Sequence, residues 1–389
     1  IPECCLCESP FDCDPSDGGM SPNLLYMGTG SAGGVPVLQY NLSELTSFDS
    51  EFEIRTLDPE GIIFFGDIGT ERNWFLLAVH QGYLRAQTVH EDNQVIVSTG
   101  TVISDGQWKT VQVSKQERGI FVNVGGATAV KMEQSRESQV VELGGGLLRI
   151  AIGALMPNGI IDVGLNPALD GCLRNWDWVK QDSSILQHRV QESDAQRCWE
   201  HIGPGSFFPG EAVACLPLQG KNNRSYDWWI MKGGRLLVIR GVLFAIVDPQ
   251  NKTSCDYTLL SDPLYFGQEL VLHFRGKVLG SGTLSSNPCS MGSHNLELLV
   301  MERQFAMKMG TEQGVMQLDQ DDLEHLKSIW SHSGSRLYLG GQPGGSSFFH
   351  GCLQVKIQGT VVDVDLAEVK HTGIRSHSCP STMEIRDQK

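Results

Sequence analysis

The segment SEFEIRTL, residues 50–57, alternates between residues of different polarity. Phe52, Ile54 and Thr56 fall on one face of an extended chain, while the charged residues between them fall on the other. A period of two residues is typical of a strand with one buried face. The segment therefore predicts a half-buried β-strand.

Two stretches further along the chain carry the turns of hairpins. WFLLAVH and YLRAQTV are separated by Gln81-Gly82, whose glycine can take the positive φ that a two-residue turn requires. DGQWKTVQVSK and GIFVNVGGATAV follow, with Gly125-Gly126 as a turn. Short strands at this spacing, without long amphipathic helices between them, are typical of an antiparallel sandwich. The fold class predicted here is all-β.

The second half of the chain repeats a pattern of the first half: LLRIAIGA (147–154), DGCLRNWDWV (170–179) and Cys198 correspond to SRLYLGGQ (335–342), HGCLQVKIQG (350–359) and Cys379. The two copies are offset by about 180 residues, which is too long for a solenoid unit and indicates a duplicated domain. Each copy ends with Gly-Cys-Leu and a closing cysteine. We therefore predict the disulfides Cys172–Cys198 and Cys352–Cys379.

Local composition suggests where the domains begin and end. HIGPGSFFPG (201–210) has the prolines and glycines of a short linker. The N-terminal residues are cysteines and turn formers without periodicity, and we expect a loosely ordered extension there. DDLEHLKSIW (321–330) starts with Asp and has apolar residues at helical spacing, which predicts a helix. The predicted division is a Cys-rich extension (1–35), a first domain (36–200), a second domain (201–380) and a tail (381–389).

The overall composition limits the class of protein and of partner. Of 389 residues, 40% are hydrophobic and 19% are charged, which is globular composition rather than disorder. The net charge of −15 disfavours nucleic acid and anionic membranes as partners, since both are held through phosphates. No apolar run reaches the ~18 residues of a membrane span, so we expect no membrane insertion.

Cysteines and glycosylation sequons indicate the compartment. The chain has 11 cysteines, and sequons begin at Asn41, Asn223 and Asn251. Together these features favour an oxidising, secreted setting. The first residues have no signal-peptide pattern, so we expect a mature or truncated secreted protein. Because the cysteine count is odd, at least one thiol is free or bonded to another chain. The sequence assigns no partner to Cys4, Cys5, Cys7, Cys13, Cys215, Cys255 or Cys289.

No motif in the sequence predicts catalysis. H-E-x-x-H and G-x-S-x-G are both absent. A G-x-G-x-x-G pattern within 28–33 is followed by Pro36, where the crossover helix of a nucleotide-binding unit would begin. Cys4 and Cys7 have C-x-x-C spacing, for which we favour disulfides over zinc. We predict that the protein is not an enzyme.

The loop after the first predicted strand carries two acidic residues. Asp58 and Glu60 flank Pro59, which places two hard oxygen donors on one loop, as calcium prefers. From these residues alone, a tight Asp-Pro turn without metal is the favoured alternative.

Several of these motifs together resemble a known family. FEIRTLDPEGIIFFGD, NWFLL, DGQWKTVQV, LRIAIG, NPALDGCLR and the closing SHSCP look like the sex hormone-binding globulin family, plasma steroid carriers built from two laminin-G-like domains. The resemblance runs from about residue 36 to 380 and is looser in the second domain. It implies a secreted, homodimeric carrier of androgens and oestrogens. The alternative is a calcium-dependent adhesion or receptor-ligand module of laminin-G type that binds no steroid.

The resemblance also implies the residues of the steroid site, in an apolar slot of the first domain. Ser50 would bond the oxygen on the steroid A ring, and Phe75 would pack on the steroid face. Asn73 and His90 would meet the D-ring oxygen; the family has Asp and Asn there. Lys115, Leu148 and Val179 would line the wall, although the lysine replaces an apolar residue.

The family's metal sites carry over in part. Its calcium site falls on Asp58, Glu60 and the carbonyl of Ala168, so the resemblance implies structural calcium there. Its zinc site needs two histidines and an aspartate, whereas these positions read Glu91, Gly145 and Asn73. We therefore expect no zinc site.

Overall fold

The computed structural model of the protein describes residues 24–28, 34–69, 73–90, 93–116, 119–133, 146–157, 162–186, 188, 198–218, 241–250, 253–261, 268–284, 296–301, 304–309, 312–357 and 360–380. These residues form two compact units, and the division falls between Gly203 and Pro204. The division lies inside the segment predicted as the linker. Each unit is built almost entirely from antiparallel strands.

The strands of the first unit are β1 (Leu25–Tyr26), β2 (Val37–Asn41), β3 (Ser50–Thr56), β4 (Gly61–Asp67), β5 (Asn73–His80), β6 (Tyr83–His90), β7 (Asn93–Val102), β8 (Lys109–Gln116), β9 (Gly119–Val124), β10 (Ala127–Glu133), β11 (Leu147–Ile152), β12 (Gly171–Asp177) and β13 (Ile202–Gly203). Those of the second unit are β14 (Ser206–Pro209), β15 (Ala214–Pro217), β16 (Gly241–Val247), β17 (Thr253–Ser261), β18 (Gln268–Phe274), β19 (Lys277–Leu284), β20 (Leu296–Met301), β21 (Gln304–Met309), β22 (Glu312–Gln317), β23 (Arg336–Leu339), β24 (His350–Leu353), β25 (Lys356–Ile357), β26 (Thr360–Val361), β27 (Val369–Lys370) and β28 (Cys379–Pro380).

The first unit is a sandwich of two six-stranded sheets, ordered β1-β12-β3-β8-β9-β10 and β2-β11-β4-β5-β6-β7. Both predicted hairpin turns are confirmed. Gln81 and Gly82 have φ values of 53° and 84°, and Gly125 and Gly126 have 59° and 84°. Two left-handed residues in succession match the right-handed twist of the flanking strands.

The predicted boundary of the N-terminal extension is wrong for residues 24–28. Leu25 and Tyr26 form β1, which pairs with β12 at the edge of the first sheet. Leu25, Tyr26 and Met27 are buried, since three large side chains together can cover an open edge of the core. A strand of two residues is too short to show a period, which is why the sequence pattern misses it.

The core of the first unit is formed by the faces that the two sheets turn toward each other. Alternate residues of β3, β5, β6, β8 and β11 belong to one apolar cluster, as the period of two requires. Four aromatic rings lie at its centre. The Phe52 ring stacks on Trp178 at 4.9 Å between centroids, Phe64 meets Trp178 edge-on at 5.3 Å, and Phe75 lies 5.6 Å from Phe64.

The second unit repeats the architecture of the first. Its largest sheet has the order β19-β18-β17-β16-β23-β15-β27, in which β15, β23 and β16 to β19 correspond to β2, β11 and β4 to β7. The predicted helix is present as α1 (Gln320–Ser331), and the Asp319 side chain caps it by accepting from the Asp322 N–H at 2.7 Å. Its face with Leu323, Leu326 and Ile329 packs in the core of this unit.

The cysteine predictions have definite outcomes. The structure forms both predicted disulfides, Cys172–Cys198 and Cys352–Cys379, with Cα atoms 6.0 and 5.7 Å apart. Cys215 on β15 is buried and forms no disulfide within the described residues. Burial raises the pKa of its thiol. The cysteines of the N-terminal segment and Cys289 lie outside the described residues.

Candidate functional site

The predicted steroid-binding residues come from several strands of the first unit, and alternation brings them to one place. Asn73 and Phe75 share a face of β5 with Leu77 and Val79, which belong to the core between the sheets. His90 shares a face of β6 with the core residues Leu84 and Ala86 in the same way. These candidate side chains therefore face the interior of the sandwich.

The remaining candidates reach the same interior. Leu148 packs against the core from β11, and Val179 follows β12 and is part of the core. Ser50 begins β3 on the face of Phe52 and Ile54. We call the space between the sheets at this end the slot; its residues are Ser50, Asn73, Phe75, His90, Leu148 and Val179.

Burial changes along the length of the sandwich. Toward the far end, Val79 on β5 and Leu84 on β6 have no exposed surface. At the slot end, Asn73, Phe75 and His90 are only half-buried. Solvent therefore reaches the slot on the side of Asn73, Phe75 and His90, where a ligand could enter between the sheets.

Ser50 and Val179 are in direct contact in the slot. The Ser50 hydroxyl accepts a hydrogen bond from the Val179 N–H at 3.0 Å, and Ser50 is 8% exposed. This bond occupies a lone pair of the hydroxyl oxygen and leaves its proton to be donated. Ser50 is thus a buried donor beside an apolar wall.

Asn73 and His90 lie opposite each other on neighbouring strands. They are a cross-strand pair in the register of β5 and β6, so their side chains are close on the inner face. The Nε2 atom of His90 is buried and has no hydrogen-bond partner among the described residues. A buried polar atom without a partner is costly, and a ligand oxygen would satisfy it.

Lys115 departs from the prediction that it lines the wall. Its side chain is exposed, and its ammonium nitrogen lies 5.3 Å from the centroid of the Phe48 ring. Removing an ammonium group from water is expensive, whereas its alkyl stem can cover an aromatic ring. The Lys115 ammonium therefore lies in solvent beside Phe48 rather than in an apolar wall.

The acidic loop after β3 is held against the segment before β12. Asp58 is 1% exposed; one carboxylate oxygen accepts from the Glu60 N–H at 3.0 Å and the other from the Asp170 N–H at 2.9 Å. The Glu60 carboxylate accepts from the Asn166 N–H at 3.3 Å. The carbonyl oxygen of Ala168 lies against Gly61, the residue that follows Glu60.

This arrangement fits the ligand chemistry of calcium. Two carboxylates and one backbone carbonyl are all hard oxygen donors, which is the ligand type that calcium prefers. The same hydrogen bonds also form the tight Asp-Pro turn that the sequence offers as the alternative. The conformation of the loop therefore does not depend on a metal ion.

Other predicted sites are described only in part. Asn41 is exposed at the end of β2, and its side-chain oxygen accepts from the Ser43 N–H at 3.2 Å. Asn223 and Asn251 lie outside the described residues. So do Glu91 and Gly145, two of the positions at which we expect no zinc site. Phe52, Phe64 and Trp178 pack together in the core next to the slot, and the sequence analysis does not include them among the site residues. Their positions in alternating apolar strands are nevertheless visible in the sequence.

Comparisons with known proteins agree with this architecture. Residues 54–183 match the family model of the laminin G domain. Over 97% of its length the chain is 28% identical to growth arrest-specific protein 6 of Mus musculus, of which it covers 59%. Over 93% of its length it is 28% identical to sex hormone-binding globulin of Crocuta crocuta, of which it covers 90%.

Domains LG4-5 of the mouse laminin α1 chain have the same fold, with a TM-score of 0.60 at 18% identity over 93% of this chain and 92% of that chain. The chain spans about three-fifths of the length of growth arrest-specific protein 6 and of vitamin K-dependent protein S. Among the described helices, none has the length and apolar character to cross a bilayer. The chain thus has the fold of two tandem laminin-G-like sandwiches, and over most of its length it resembles sex hormone-binding globulin.

Proposed function

We propose that the protein is a secreted carrier of androgens and oestrogens, with one steroid bound in the slot of the first domain. The observation that carries this proposal is the convergence of Ser50 and Val179 with Asn73 and His90 at one accessible end of the sandwich. An apolar interior with a few polar groups is the usual form of a small-molecule site. The resemblance to sex hormone-binding globulin supports the choice of ligand.

The apolar surface supplies the affinity in this proposal. A steroid is mostly hydrocarbon with an oxygen at each end. Burying roughly 300 to 400 Å² of apolar surface contributes about 7 to 10 kcal/mol at ~25 cal/mol/Å², before the cost of immobilisation. The polar ends then discriminate among steroids, because an unpaired buried polar group costs about 1 to 3 kcal/mol.

Replacement of Ser50 tests one polar end. We expect Ser50→Ala to weaken binding of a 3-oxo steroid about tenfold or more, because the ligand oxygen loses its donor. A steroid that lacks the 3-oxygen should bind wild type and variant within about twofold, since the packing is unchanged. Ser98→Ala, at an exposed serine of β7, is the control. Equal losses for both ligands would mean that Ser50 acts only by holding Val179.

Asn73 controls the other end in our proposal. Its amide offers an N–H donor that the family's aspartate lacks, so the site should tolerate a D-ring ketone. We expect Asn73→Asp to weaken binding of 17-keto steroids about tenfold relative to 17-hydroxy steroids, measured by equilibrium competition. Asn123→Asp, on the outer face of β9 away from the slot, controls for the added charge. An unchanged preference would remove Asn73 from this role.

We further propose calcium at Asp58, Glu60 and the Ala168 carbonyl. When bound, the ion would neutralise two carboxylates and tie the loop after β3 to the segment before β12. The chain's own hydrogen bonds already join these segments. The ion would therefore add stability to the rim of the domain rather than take part in holding the steroid.

Secretion, glycosylation at Asn41 and homodimer formation are part of the proposed carrier function.

The alternative function is a laminin-G module that binds a cell-surface partner. The observation that supports this alternative is the similarity to growth arrest-specific protein 6 over 97% of the chain. Equilibrium dialysis with labelled dihydrotestosterone and oestradiol, with and without a chelator, separates the two functions. We expect saturable uptake of at least one steroid by the full chain. No saturable uptake of either would overturn the carrier proposal.

A further inference from the structure

Tyr40 is a polar residue next to Leu148 of the slot, and no sequence motif indicates it. It lies on β2 on the same face as the core residue Leu38, and its cross-strand partner on β11 is Leu148. Its side chain is 9% exposed. The hydroxyl oxygen is buried and has no hydrogen-bond partner among the described residues.

The surroundings of this hydroxyl keep it protonated. Burial, followed by the nearby carboxylates of Asp182 and Asp177, raises the pKa of Tyr40 to about 12. At neutral pH the group is therefore a neutral O–H with a proton to donate. Trp178 Nε1 is a second buried donor without a partner in the described residues, but its ring packs against both Phe52 and Phe64.

Tyr40 belongs to the end of the slot that holds Ser50. Leu148, the cross-strand partner of Tyr40, is a residue of the slot, and Tyr40 shares a core cluster with Val179, whose N–H bonds the Ser50 hydroxyl. Asn73 is on β5, three strands from β2 in the sheet order, which corresponds to about 14 Å at ~4.8 Å per strand. Tyr40 and Ser50 therefore approach one end of a bound steroid, and Asn73 the other.

We propose that Tyr40 is a second hydrogen-bond donor to the ligand oxygen that Ser50 binds, so that this end of the slot selects a carbonyl over a hydroxyl. This inference rests on the proposed steroid-binding function. A carbonyl oxygen has two lone pairs and no proton, so it can accept from both donors. A ligand hydroxyl can accept from the same two donors, but it also carries its own proton. Because the Ser50 and Tyr40 hydroxyls already donate to the ligand oxygen, neither can accept that proton in return, and it is left without a partner. The ligand class is thus a 3-oxo steroid rather than a 3-hydroxy steroid.

The test uses two ligands that differ only at this oxygen. Dihydrotestosterone and 5α-androstane-3,17-diol share ring system and D-ring hydroxyl, and equilibrium dialysis measures both on the full chain. We expect wild type to prefer the 3-oxo ligand about tenfold or more. Tyr40→Phe keeps the ring and removes the hydroxyl. It should weaken binding of the 3-oxo ligand about tenfold and change the affinity for the 3-hydroxy ligand less than about threefold. Tyr83→Phe, at a tyrosine that is 45% exposed, is the matched control.

Stability without ligand provides a second readout. Because Tyr40→Phe removes a buried hydroxyl that lacks a partner, the melting temperature of the ligand-free protein should rise by about 2 to 4 °C. A fall would mean that the hydroxyl is satisfied within the protein, which would overturn the inference. Equal affinity losses for both ligands, or none, would also overturn it while steroid binding itself stands. Failure of wild type to bind either ligand would instead overturn the proposed function.

Discussion

Gly61→Ala is expected to destabilise the first domain by about 2 to 6 kcal/mol. Gly61 has a φ of +156°, and a Cβ at this position would lie 2.7 Å from the Leu169 Cα. The backbone conformation alone costs an L-residue about 1 to 3 kcal/mol. The overlap with a backbone atom adds a further 1 to 3 kcal/mol, because the segment before β12 must move away. Urea unfolding of the full chain, followed by circular dichroism, measures the loss.

Two matched substitutions separate these contributions. Gly125 has a φ of +59° with no atom near the added Cβ, and Gly100 has open space at an ordinary φ. Gly125→Ala should therefore cost about 1 kcal/mol or slightly more, and Gly100→Ala close to nothing. If Gly61→Ala were as stable as Gly100→Ala, the close approach of the two segments would be contradicted. Gly241, where a Cβ would lie 2.7 Å from the Phe349 Cα, should repeat the effect in the second domain.

Asp58→Asn is expected to cost about 3 kcal/mol even without calcium. Both carboxylate oxygens accept backbone N–H groups, from Glu60 and Asp170. An amide has one oxygen and one NH₂, so in either orientation one N–H faces another donor in a site that is 1% exposed. Losing a hydrogen bond to a buried charged group and leaving its partner unpaired accounts for this magnitude. Urea unfolding in the presence of a chelator measures it.

Asp58→Asn should also change how the free energy of unfolding responds to calcium. In wild type, calcium at about 100 times its dissociation constant should add ~2.7 kcal/mol to the free energy of unfolding. In Asp58→Asn this increment should disappear. Asp105→Asn is the control, since Asp105 forms a similar turn by accepting from the Gln107 N–H at 3.0 Å but is exposed; it should cost less than about 1 kcal/mol. A calcium increment that persists in Asp58→Asn would exclude Asp58 as a ligand.

Local patterns predicted most of the fold. The alternation in β3, the hairpin turns at Gln81-Gly82 and Gly125-Gly126 and the capped helix all depend on residues close in sequence, and the structure confirms each of them. β1 was missed because two residues carry no periodicity, although their burial makes them part of the first domain.

The candidate site could be predicted only as a set of residues. The resemblance supplied Ser50, Asn73, His90 and the others, and the alternation of each strand is consistent with an inward position. The resemblance could not show that the Lys115 side chain is exposed. The cost of desolvating its charge depends on how deeply the folded chain would bury it. Nor could the resemblance indicate Tyr40, because whether its hydroxyl finds a partner among the described residues depends on what packs around it.

The amino-acid sequence by itself determined the strand class, the duplication of the domain and the pairing of Cys172 with Cys198 and of Cys352 with Cys379. These features follow from side-chain alternation and from spacing along the chain, which need no knowledge of distant contacts. Only the tertiary structure decided which polar atoms meet in the slot and which are left unpaired. That outcome depends on how β2, β3, β5 and β12 stack and in what register, and these strands are far apart in sequence.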